Sequence, residues 1–108
     1  MDAPTRFDDL VEEFLAESND DLIGLWEIVR KVAQRVPANG SLMEETLAVV
    51  RELLAQGLAV GDPPYSGVGY RPWPDQNPDS VVERIRSEWL ALGRDPNIPD
   101  MAWFGRTH

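Results

Sequence analysis

The chain has 108 residues, enough for one folding unit, and its 43% hydrophobic and 27% charged residues, with four tryptophans, make up a packed domain rather than a disordered tail. It has no cysteine, which excludes disulfides, thiol catalysis, cysteine-ligated zinc and iron–sulfur chemistry, and suits a reducing compartment. Its net charge of −9 is concentrated at the start, where nine carboxylates precede Ile28 against the single Arg6; such a field repels nucleic-acid phosphates and anionic lipid and accelerates encounter with a basic partner.

Residues 1–6 lack the basic-then-apolar order of a signal peptide, and no apolar run approaches the roughly 20 residues of a membrane span, so a cytoplasmic chain without a membrane partner is expected. Phe7, Leu10, Val11, Phe14 and Leu15 recur at three and four residues, which predicts a first helix over residues 7–17. Its outward side carries Asp8, Asp9, Glu12, Glu13 and Glu17. Ser18-Asn19 breaks the pattern, and Asp20 is placed to cap a second helix striped by Leu22, Leu25, Trp26, Val29, Val32, Ala33 and Val36, with Ile23 and Ile28 beside the stripe. Pro37-Ala38-Asn39-Gly40 stops it.

Ser41 followed by Glu44 is a capping-box pattern, each side chain able to satisfy the other's free backbone amide. It opens a third helix over residues 42–56, with Met43, Leu47, Val50 and Leu54 on one face and Gly57 as its left-handed stop. Leu58-Ala59-Val60 reads as a strand returned by residues 68–73, and Pro72 marks that return as an edge. Asn77-Pro78-Asp79 predicts the start of a fourth helix, striped by Val82, Ile85, Trp89 and Leu92 and closed by Gly93. The apolar Met101-Ala102-Trp103-Phe104 is expected to dock back on the body, as a third strand or as a surface for a second copy of the chain together with Trp73. The fold class expected is mainly α, in the α+β sense: one helical domain over residues 1–108 with a short antiparallel β-hairpin.

Three helices followed by a hairpin and a further helix is an order that resembles a winged-helix domain. The likeness covers residues 22–73, and the segment from Val49 through Leu53-Leu54-Ala55-Gln56-Gly57-Leu58 to Asp62 is similar to that family's third helix running into its wing. The resemblance implies DNA binding, with the third helix in the major groove and the wing on the backbone. On that helix, however, Glu44, Glu45 and Glu52 face only Arg51, and the wing offers only Arg71, so the cations that phosphate neutralisation needs are missing. As a whole the chain resembles small acidic bacterial proteins of unassigned function, and in size and charge it is similar to immunity proteins that neutralise toxins.

Catalytic and cofactor chemistry finds no support. The single histidine, His108, ends the sequence, without the orienting partner that a triad or a histidine metal site requires. The pairs Asp8-Asp9, Glu12-Glu13, Asp20-Asp21 and Glu44-Glu45 stand next to one another on single elements, whereas acid–base or two-metal work needs carboxylates converging from different ones. Lys31 is the only lysine, and Gly67-Val68-Gly69 lacks the further glycine and following helix of a dinucleotide loop. No enzyme, cofactor or metal is therefore expected. The expectation is a protein-binding module whose partner, a basic one, meets the acids Asp8, Asp9, Glu12, Glu13, Asp20 and Asp21 and the aromatics Tyr65 and Trp73, which join no stripe; Trp73 has a second reading, as a cover for the open side of the hairpin.

Overall fold

The computed structural model describes residues 7–20, 22–36, 40–62, 71–95 and 102–106. Within them run α1 (Asp8–Glu17), β1 (Ile23–Gly24), α2 (Leu25–Ala33), α3 (Leu42–Ala55), β2 (Leu58–Asp62), β3 (Arg71–Pro72), α4 (Pro78–Leu92) and β4 (Trp103–Arg106). The fold is thus α+β and mainly helical, with one small antiparallel sheet of strand order β1-β4-β2-β3.

α3 is the centre of the helical layer. It buries Thr46, Leu47, Val49, Val50, Leu53 and Leu54 and packs on α1, α2 and α4 at once. Ser41 caps it by accepting from the Glu44 amide at 3.2 Å, and Gly57, at φ +103°, turns the chain out of it. The capping box forms by half, because the Glu44 carboxylate turns away to Arg86 of α4. α4 begins as its sequence predicts: the Asn77 side chain accepts from Asp79 and Ser80, Pro78 occupies the first turn, and Gly93 ends the helix at φ +71°.

α2 departs from its expected start. The expected helix runs from Leu22, capped by Asp20, whereas Ile23 and Gly24 form β1 and the helix begins at Leu25 with no side-chain cap. Pairing with β4 is the reason: Ile23 lies opposite Phe104, Gly24 opposite Trp103, and the Leu25 amide donates to the Ala102 carbonyl at 3.0 Å. An isoleucine serves a helix stripe and a strand equally well, and a partner 80 residues away outweighs local periodicity.

β4 lies inside the sheet, between β1 and β2. Alternation along the paired strands sends Ile23, Phe104, Val60 and Leu58 toward the helices, where all four are buried. The other face carries Gly24, Trp103, Gly61, Gly105 and Ala59. Small residues are needed there: a Cβ on Gly105 would stand 2.6 Å from Leu22 Cδ2, and one on Gly24 2.5 Å from Trp26 Cδ1. Beyond Pro72, where β3 ends, the free side of β2 is completed by a side chain. Gln76 accepts from the Val60 amide at 2.8 Å and donates to the carbonyls of Val60 and Trp73 at 2.7 and 2.8 Å, doing the work of one more ladder residue.

Candidate functional site

The acidic side of α1 divides into two rows. Asp9 and Glu13 face the end of α2 and the residues just after it, which the sequence supplies with cations. Arg35 donates to both oxygens of Asp9, at 2.7 and 2.6 Å, and Lys31 pairs with Glu13. The hydrogen bonds from Arg35 hold the Asp9 carboxyl below the ordinary carboxylate range. Those between Lys31 and Glu13, aided by the charges of Glu13, Glu17 and Glu27, raise the Lys31 ammonium. Asp8 and Glu12 form the second row, both exposed, and Asp20 is exposed in the turn after α1. Glu12 and Asp20 carry no ion pair among the described residues. Of the acids expected to meet a partner, Asp9 and Glu13 are therefore engaged within the chain, where they bridge α1 to the end of α2.

Beside the Lys31–Glu13 bridge lies a cleft of about 270 Å³ lined by Glu17, Trp26, Glu27, Arg30, Lys31 and Gln34. Trp26 was expected in the core, yet it is half-buried while Leu25, Ile28, Val29 and Val32 fill the interior. A usable signal was present: Trp26 shares its helical row, four and eight residues on, with Arg30 and Gln34, so it stands at the margin of the stripe. Its indole packs onto Gly24 with the N–H shut off from solvent and unpaired.

Trp73, expected as an exposed anchor or a cover of the hairpin, is 5% exposed and belongs to the core cluster. Its indole donates to Asp62 at 2.9 Å, and the Arg84 guanidinium lies over its ring at 3.6 Å. The anchor reading of Trp73 is thereby corrected; the ring is held inside by the hairpin's own Asp62 and by α4. Ala102 and Phe104 are buried as well, and Trp103 half-buried, so these residues form sheet and core rather than an apolar outer patch. Among the described residues the large exposed apolar side chain is Leu90, at 65%. Asp21 and Tyr65, Met101, His108 and Gly67-Val68-Gly69 lie outside the described residues.

Two polar residues of α3, Glu44 and Arg51, pair with α4. Arg86 grips Glu44 with two hydrogen bonds of 3.0 and 2.8 Å and also pairs with Glu83, while Arg51 pairs with Asp79. These contacts lower the Glu44 carboxyl and raise the Arg86 guanidinium. Among the described residues no group of three or more histidines and carboxylates is placed to hold a metal ion, and no helix is long and apolar enough to cross a membrane. No protein-family model, curated protein or solved structure matches the chain.

Proposed function

We propose that the chain is a non-enzymatic, cytoplasmic protein-binding module that meets a basic protein through the outward row of α1. The observation that carries this reading is the division of the acids. Asp9 and Glu13 have a structural use in bridging toward α2, whereas Glu12 and Asp20 are exposed and carry no ion pair among the described residues. Exposed acids that join an already acidic quarter of the chain suit long-range steering of a basic surface, whose signature is a fast, salt-sensitive association. An immunity-protein role, binding a basic toxin, is one form this reading takes. A second copy of the chain has less support as the partner, since the apolar residues that suggested it are largely interior.

The resemblance to a winged helix leaves DNA binding as the competing reading. The order of helices before the hairpin is in its favour, whereas Arg51, the one cation of α3, is paired with Asp79. Replacing Asp8, Glu12 and Asp20 together by lysine should slow association with the partner captured from the source cells and flatten its salt dependence, with the melting temperature nearly unchanged. Unaltered association removes the α1 row from the reading. Salt-sensitive retention of a mixed-sequence duplex at micromolar protein would instead favour the regulator.

A further inference from the structure

We infer that the cleft between the end of α1 and the outer side of α2 seats an arginine side chain of the basic partner, its guanidinium stacked on Trp26 with Glu17 at the rim. This inference rests on the protein-binding reading above and names the anchor that steering alone does not supply.

The aromatic floor is fixed before any partner arrives. The Trp26 ring lies directly on Gly24, where an added Cβ would come within 2.5 Å of Cδ1 and 2.6 Å of Nε1, and Gly24 is itself paired with Trp103 in the sheet. A planar cation gains most from such a ring, because stacking requires no reordering of the aromatic partner. The same chain already contains the arrangement once, in Arg84 over Trp73 at 3.6 Å, and there it is used internally. Trp26 has no cation over its ring among the described residues, although two line the cleft. Lys31 is drawn to Glu13 and lies 5.9 Å from the centre of the Phe14 ring, and Arg30 carries no ion pair among the described residues.

Charge decides the sign of the occupant. Arg30 and Lys31 are cations in the cleft itself, but Lys31 is paired with Glu13, and the carboxylates of Glu17 and Glu27 outnumber the remaining Arg30. Asp20 follows directly in the turn, its amide bonded to the Glu17 carbonyl at 3.0 Å. A cleft of about 270 Å³ admits one long side chain and little more, so a single arginine fits where a folded element does not.

The test is a titration of the full chain followed through the tryptophan indole N–H signals in nuclear magnetic resonance, with Trp26 assigned from a Trp26→Phe variant. N-acetyl-arginine amide and a hexa-arginine peptide should move the Trp26 signal in a saturable way and leave Trp73 and Trp89 in place. Glu17→Gln, a change at a half-buried rim residue outside the core, should weaken that response several-fold. A Trp26 signal unmoved at saturating hexa-arginine, or moved equally by N-acetyl-glutamate amide, overturns the proposal. Hexa-arginine that binds in a salt-sensitive way without moving Trp26 overturns the cleft while sparing the acidic row. Movement of Trp26 combined with partner binding indifferent to reversal of Asp8, Glu12 and Asp20 supports the cleft and sinks the steering row.

Discussion

Thr46 is fully buried on α3 and its hydroxyl finds no acceptor, although the helix around it is otherwise an apolar packing surface. A buried hydroxyl without a partner loses its hydration and gains nothing in return. Thr46→Val keeps the shape and removes that loss, so chemical denaturation should show a gain of about 1 kcal/mol with an unchanged m-value; a destabilised variant would mean that the hydroxyl is satisfied in solution. Gln76 is the opposite case, a polar side chain whose amide meets Val60 and Trp73 through three bonds. Neither role was legible in the sequence, because each depends on what lies across from the residue rather than beside it. The tryptophans make the same point. Trp89 follows its stripe into the core, whereas Trp73, flanked by prolines and without a stripe, is buried by Asp62 and Arg84, and Trp26, nominally on a stripe, stays half outside.

α1 and α2 are joined at their polar sides by Asp9–Arg35 and Glu13–Lys31, and this joint has a pH dependence of known sign. Asp9 is depressed in the folded state, so its contribution is present above the unfolded carboxylate value, about 3.9, and is lost as pH falls through the lower folded value. Lys31 is raised, so its contribution is present below about 10.4 and is lost as pH rises through the folded value. Melting temperatures from pH 6 downward should therefore fall less steeply for Asp9→Asn than for the parent chain. Identical profiles for Asp9→Asn and the parent would show that the bridge does not persist in solution. Sequence gave no means of sorting these acids, since Asp8, Asp9, Glu12 and Glu13 are alike in type and all outward on an isolated helix; what sorts them is the packing of α1 and α2 on a common α3. Helix ends signalled by a cap residue were readable, as Ser41, Asn77, Gly57 and Gly93 demonstrate, and the start of α2, set by a strand from the far end of the chain, was not.

At the scale of the whole molecule the sheet closes only when its last strand arrives. β1 has two residues and meets β4 alone, and β2 takes β4 along its register from Leu58 to Gly61, so β4 is what joins β1 to the hairpin strands. Phe104 is fully buried between Ile23 and Val60, and Arg106 reaches the Leu15 carbonyl at 2.8 Å, tying the strand to α1. An apolar segment at that place in the sequence pointed to docking, but docking into the middle of a sheet is a long-range pairing that local pattern does not encode. Removing a buried phenylalanine costs about 3 to 5 kcal/mol, a large part of the roughly 5 to 15 kcal/mol that holds a domain folded. Phe104→Ala should accordingly lower the denaturant midpoint by a large fraction while the transition stays cooperative. Deleting residues 103–108 removes both ladders of β4 together with that side chain, and should abolish the cooperative transition and expose Ile23, Val60 and Leu58 to a hydrophobic dye. A truncated chain that still unfolds in one sharp step would show that the helices around α3 hold the domain without the sheet.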